Sequence, residues 1–259
     1  MNRLIKSMAL AATVGLSACV TTHQTPKELS VDCGTPDDCW AQVLKRHVNA
    51  KGQVNFDAVA QDKSALETYV RYIASESPKS NPEKFPSSDD KMAYYLNSYN
   101  ALAMWGVIEN GIPKDFDSFF KRLSFFMFNE FQIGGSYTSL YDYENDVIRS
   151  VGDPRVHFAL NCMSVGCPRL PQQPFPVKNL NDTLEAAAFE FFRSPLYLQV
   201  DDKEKIVSIS EILKFFTNDF VGEGKSPNLI AYVNKYSAKK IPENYEVKFI
   251  PYNWTINRQ

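Results

Sequence analysis

The segment from Ser88 to about Ile108 restricts the fold more than any other part of the chain. Met92, Tyr95, Leu96, Tyr99, Leu102 and Ala103 recur at helical spacing, and Ala93, Ala101, Met104 and Trp105 cover much of the remaining circumference. A helix apolar nearly all round is stable only when protein surrounds it, so the spacing predicts a central helix on which the rest of the domain packs. Ser88 is placed to cap it, Asp89 and Asp90 favour its positive end, and Gly111 and Pro113 stop it. Asn97 and Asn100 lie three apart on one face. A buried amide costs free energy unless its donors and acceptors are matched, so both are expected as fixed hydrogen-bonding groups.

The other elements are read around this helix. Cys39 to His47 and Leu66 to Ile73 show helical spacing, the first capped by Asp37 or Asp38, with a short strand at Gln53 to Asp57 and a proline-rich loop at Ser77 to Ser88. Gly134-Gly135 predicts a tight turn between strands Phe131 to Ile133 and Ser136 to Thr138. Ser139 and Asp142 form a capping box whose helix carries Glu144 on its apolar stripe, where a carboxylate needs a partner. Val156 to Leu160 alternates like a strand, Leu180 to Phe191 has helical spacing, Ser208 with Glu211 and Ser226-Pro227 open two more helices, and Val247 to Ile250 closes the chain as a strand. The expectation is one α+β domain over residues 32–259, helix-rich with a small, mostly antiparallel sheet. With 44% of its residues hydrophobic, the chain has the material for such a core.

The N-terminus reads as a processed segment. Arg3 and Lys6 precede an apolar stretch, Met8 to Leu16, too short to span a bilayer. Leu16-Ser17-Ala18-Cys19 has the pattern of a bacterial lipobox, so residues 1–18 are expected to be a signal peptide and Cys19 the acylated residue. A plain secretory signal with an incidental cysteine is the alternative. Val20 is not the aspartate that retains such proteins at the inner membrane, so the domain is expected on the outer membrane, facing the periplasm of the cell envelope. Residues 19–31 are expected to be a flexible tether. Of 28 basic residues, loss of Arg3 and Lys6 leaves 26 against 30 acids, a formal charge of −4, with no basic stripe; nucleic acid is not an expected partner. The expected partners are the bilayer, through Cys19, and an unidentified small-molecule or peptide ligand. In an oxidising compartment the close pairs Cys33 with Cys39 and Cys162 with Cys167 favour disulfides.

The densest run of chemically capable residues is Gly152 to Pro168, which contains Arg155, His157, Cys162 and Cys167. Four readings compete. Cys162 or Cys167 is a nucleophile with His157 as base and Glu144, Asn97 or Asn100 as orienter, although a straight strand would put His157 and Cys162 on opposite faces. Alternatively the two cysteines form a structural disulfide, or with His157 they bind zinc at a spacing that is not standard. In the fourth reading His157 is a core histidine bonded to Glu144, and Arg155 pairs with another acid. Four polar residues assigned to the interior, Asn97, Asn100, Glu144 and His157, suggest a prepared pocket.

These segments also resemble a known family. Ala93-Tyr94-Tyr95-Leu96-Asn97-Ser98-Tyr99-Asn100-Ala101 is similar to the "AFWINAYNA" signature of the bacterial and plant proteins grouped as domain of unknown function 547. Ser139-Leu140 with Glu144, Arg155 to Leu160, Cys162 to Pro168, Ile209-Ser210, Asp219-Phe220 and Tyr252 to Asn257 resemble its later blocks, with Asn253 where the family has an aspartate. The resemblance covers most of residues 40–257 and implies the domain without a reaction. A long helix followed by a histidine strand is also similar, at fold level, to papain-like and transglutaminase-like thiol enzymes; the position matching their nucleophile is Asn97, which cannot serve. The expectation carried forward is a thiol-dependent hydrolase or acyltransferase on a peptide-like amide. Cys162 is its nucleophile, His157 its base and Glu144 its orienter, and Asn97, Asn100 and Arg155 bind substrate, with no metal or cofactor. The alternative is a non-catalytic binding lipoprotein with Cys162 and Cys167 bridged.

Overall fold

The computed structural model describes residues 20–27, 33–222 and 228–259. The signal segment, Cys19 and the Ser226-Pro227 helix start lie outside the described residues. In chain order the elements are β1 (Thr21–Thr22), α1 (Pro36–His47), α2 (Phe56–Gln61), α3 (Ser64–Ser75), α4 (Ser88–Glu109) and α5 (Phe119–Met127). Next come β2 (Asn129–Ile133), β3 (Ser136–Ser139), the one-turn α6 (Leu140–Asp142), which runs into a π-helical turn at Tyr143–Ile148, and a 3-10 helix at Pro154–Phe158. The chain then forms α7 (Leu180–Arg193), β4 (Leu198–Asp201), β5 (Ile206–Ser210), α8 (Glu211–Phe215), α9 (Thr217–Val221), α10 (Leu229–Val233) and β6 (Glu246–Ile250).

Helix α4 is the axis, as its composition requires: 16 of its 22 residues are buried. Its cap is Ser87 rather than Ser88, because the capping box needs an acid at the third helical position and Asp90 stands there for Ser87. The same logic makes Thr35, with Asp38, the cap of α1 in place of Asp37 or Asp38. Trp40 of α1 stacks on Tyr69 of α3 at 5.8 Å, and Cys33 and Cys39 are disulfide-bonded at the start of α1, as the sequence leads one to expect. A second apolar cluster gathers Phe158, Phe191, Phe192, Val207, Ile209 and Tyr232 on the other side of the 3-10 helix.

The fold is α+β and helix-rich, but its two three-stranded sheets are mixed rather than mostly antiparallel. In one, β1 pairs parallel and β3 antiparallel with β2; in the other, β4 pairs antiparallel and β6 parallel with β5. The crossover from β5 to β6 is long enough to carry α8, α9 and α10, which a parallel connection needs. Strand β1 corrects the expected tether. Thr21 N–H donates to Phe128 O at 2.8 Å, His23 N–H to Glu130 O at 2.9 Å, and the His23 ring stacks on Phe131 at 4.8 Å, so residues 20–27 lie along the domain.

Three further expectations give way. Pro154–Phe158 is a 3-10 helix, not a strand: Asp153 accepts from Arg155 N–H, Pro154 occupies the first helical turn, and Val156, His157 and Phe158 are all buried, so alternation carried no face information there. Ser208 lies inside β5, where Val207 and Ile209 are fully buried, and Ser210 is the cap that follows. Val54 makes only isolated bridges, to Val48 and Arg258, before Asn55 caps α2. Among the described residues no helix is long and apolar enough to cross a membrane.

Asn100 accepts Asn161 N–H at 2.7 Å and donates to Ala159 O at 3.0 Å, all buried. Asn100→Ala leaves both backbone groups unpaired, so chemical denaturation should show a loss on the order of 2–3 kcal/mol, against a few tenths for an exposed control such as Lys79→Ala.

Candidate functional site

Immediately after Asn161 the chain makes a turn that only a dense set of contacts holds in place. Met163 is fully buried with φ at +68°, a left-handed conformation unusual for a side chain of its kind. Asn161 Oδ1 accepts Met163 N–H at 2.8 Å while its Nδ2 donates to Pro168 O at 2.7 Å, clasping the loop from both ends. The C-terminal residues supply the outer side: Val165 N–H donates to Thr255 O, Gly166 N–H to Asn253 O, and Asn257 N–H to Met163 O. A Cβ on Gly166 would sit 2.9 Å from Asn253 N and from the Tyr252 ring, so glycine permits that close approach.

This loop brings Cys162 and Cys167 together as two thiols, their sulfurs 3.0 Å apart. The Tyr252 hydroxyl lies 3.2 Å from Cys162 Sγ and 3.0 Å from Cys167 Sγ, and Ser164 Oγ lies 3.5 Å from Cys162 Sγ. The Cys162 pKa is lowered to about 7: hydrogen bonding from the Cys167 thiol, with help from Tyr252 and Ser164, outweighs the burial that opposes ionisation. Cys167 goes the other way, raised by burial and by the neighbouring sulfur. One sulfur is thus prepared as a thiolate and the other as its hydrogen-bond donor.

Both sulfurs open into a cleft of about 990 Å³, which is also lined by His157, Glu144, Tyr99, Arg149 and Tyr252, with Phe126, Phe215, Phe216 and Trp254 among its apolar walls. The 3-10 helix delivers His157, whose Nε2 lies 2.7 Å from Asp219 Oδ2 and whose ring stacks on Phe216 at 4.1 Å. Arg149 grips the same carboxylate through both oxygens, at 2.6 and 2.7 Å. Burial would raise the Asp219 pKa, but the hydrogen bonds from His157 and Arg149 prevail and hold it well below the usual carboxylate range. Asp219 rather than Glu144 therefore orients His157. Glu144 sits on the π-helical turn, a distortion frequent at functional sites, and accepts from Tyr99 Oη–H at 3.0 Å. Burial raises its pKa against the opposing pull of His157 and Tyr99.

The structure unites Cys162, Cys167, His157 and Glu144 in one cleft and leaves three expected residues outside its lining. Asn97 donates to Phe175 O and accepts Phe175 N–H, both at 2.9 Å, and Asn100 holds the Ala159–Asn161 backbone; each buried amide spends a donor and an acceptor on the backbone, and neither lines the cleft. Arg155 pairs with Asp153 and Glu185 and bonds Asn181, bracing the 3-10 helix against α7. Asn253 Oδ1 accepts Thr255 N–H at 3.0 Å and so holds the turn before Thr255. Among the described residues no three His, Cys, Asp or Glu side chains come together in a geometry that could hold a metal ion. Sequence reasoning missed Asp219, Arg149 and Tyr99 as site residues; Asp219 and Tyr252 stood only in blocks named by resemblance.

Residues 83–192 match the family model described as "Protein of unknown function, DUF547", a shorter span than the resemblance suggested. The matched segment carries α4, Glu144, His157 and both thiols, while Asp219 and Tyr252 lie beyond it. No curated protein and no solved structure matches the chain.

The alkylation rate of Cys162 by iodoacetamide should rise with pH and reach half its maximum near pH 7, since the thiolate forms above that point, with Cys167 unmodified until the chain unfolds. Tyr252→Phe and Gly166→Ala each remove or displace a donor to the thiolate and should move the midpoint upward; an unchanged midpoint in both would show that Tyr252 does not stabilise it.

Proposed function

We propose that this chain is an envelope lipoprotein, anchored through acylated Cys19, whose cleft performs thiol-dependent acyl transfer on a peptide-like amide. The observation that carries the reading is the Cys162 thiol, held towards ionisation by its own neighbours in the same cleft as an Asp219-oriented imidazole. Cys162 Sγ attacks the amide carbonyl carbon and the C–N bond breaks; His157 gives the leaving amine its proton, and the acyl group rests on sulfur as a thioester. Water, or an acceptor amine, then attacks the thioester and returns a proton to the imidazole, regenerating the thiolate. No hydrogen bond joins His157 to either sulfur in the resting chain, so the sulfur's ionisation depends on Cys167, Tyr252 and Ser164, leaving the imidazole to the leaving group. Burial of Glu144 disfavours its charged form, which lessens its repulsion of a thiolate in the same cleft.

With p-nitrophenyl acetate as acyl donor, the purified chain should release one equivalent of p-nitrophenol in a burst, followed by slower turnover. Cys162→Ser should abolish the burst, and His157→Ala should slow turnover by roughly 100-fold or more. Release no faster than that of Cys162→Ser sinks the enzymatic reading.

The second reading, a non-catalytic binding module with the sulfurs bridged, is favoured by their 3.0 Å separation, which an oxidising compartment can close. Thiol mapping by mass spectrometry of chain isolated without reductant should find Cys162 free; a Cys162–Cys167 bridge in the whole population makes the binding module the working reading.

A further inference from the structure

Helix α5 has three properties that belong together. It forms one wall of the cleft, through Phe119, Leu123, Phe126 and Met127. Its first turn projects Phe119 and Phe120 into solvent, 62% and 77% exposed, beside Lys121, whose half-exposed ammonium is paired with Asp115 at 2.6 Å. Its other end meets the beginning of the described chain, since Phe128, which caps the helix, accepts Thr21 N–H at 2.8 Å. Cys19 precedes this docked strand by a single residue, Val20, itself exposed. A helix of nine residues is about 14 Å long, so Thr21, which follows Cys19 by two residues in the sequence, and the aromatic pair stand about one short helix apart.

We propose that the exposed edge of α5 is seated in the phospholipid surface to which Cys19 ties the chain, so that the cleft opens at the bilayer interface. The inference rests on the reading of Cys19 as the lipid anchor. Were residues 20–27 a loose tether, the domain could take any orientation; with Thr21 and His23 bonded to the backbone of Phe128 and Glu130, a lipid on Cys19 joins the chain two residues before a point docked at the end of α5. Exposed aromatic side chains are the composition that sits at the level of lipid headgroups, with the rings in the acyl boundary, and the Lys121–Asp115 pair lies at the same edge. A substrate entering along the Phe119 wall is then amphiphilic, presented from the lipid surface rather than from bulk solution.

The test uses residues 19–259 with Cys19→Ser, so that no acyl chain contributes, and sedimentation with vesicles of phosphatidylethanolamine and phosphatidylglycerol. The chain should partition measurably onto the vesicles, and Phe119→Ser/Phe120→Ser, which alters only exposed side chains, should lower that partition at least tenfold. In the acylated chain on the same vesicles, amide exchange over residues 119–124 should slow relative to the chain in solution. Equal partition of the two proteins, or a dimer in solution that the double substitution splits without any effect on vesicle partition, overturns the proposal; the second result makes the edge a self-interface. Fatty-acid labelling of the full-length chain in cells reads the anchor separately. Absence of label with aromatic-dependent partition retained removes the anchor and leaves the membrane edge standing.

Discussion

The thiol loop of this chain depends on the carboxamide of Asn100. It lies in the middle of a buried helix and spends its donor and acceptor on the backbone on either side of Leu160. That clamp decides where the residues after Asn161 leave the core, and so where Cys162 points. Asn97 does the same for Phe175 one helical turn away. Two polar residues in an apolar helix are expensive there, and what offsets the expense is the definition they give to loops that have no regular hydrogen bonding of their own.

A second layer of constraint ties the two apolar clusters together across the cleft. His157 is carried by the segment that separates the clusters, while its partner Asp219 belongs to α9, on the side of the second sheet. Arg149, from the end of the π-helical turn, closes the triangle. The imidazole is therefore oriented by one stretch, residues 216–220, whose carboxylate is in turn held by Arg149 from another. Its stacking on Phe216 and its packing near Phe220 leave the ring little room to rotate away. The sulfurs are prepared differently, by groups of their own loop and by one tyrosine from the C-terminal segment, so the two halves of the site can be perturbed independently.

The central helix, the glycine hairpin and the inward Glu144 could be read directly from the sequence because each depends on local periodicity or turn chemistry. The buried state of Asn97 and Asn100 was equally legible, since their positions on the apolar helix leave them nowhere else to go. Their role was not: whether a buried amide faces a ligand or a backbone is settled by loops far away in sequence. The strand assigned at Val156 to Leu160 failed because alternation is informative only where one face is wet, and here both sides are buried. Asp219 was invisible for a similar reason. Nothing in its neighbourhood marks it as the partner of a histidine 62 positions earlier, and only the packing of the second sheet brings them together.

The thiol loop is closed by the chain segment from Tyr252 to Asn257, which lays its carbonyls on Val165 and Gly166, its amide on Met163 and its phenol on both sulfurs. Without that segment the turn at Met163 would lack its outer support, and Cys162 would lose the Tyr252 hydroxyl that favours its ionisation. The environment of one sulfur is therefore written in two places some 90 residues apart, and a substitution between Tyr252 and Asn257 acts on the thiol pair as directly as one beside it.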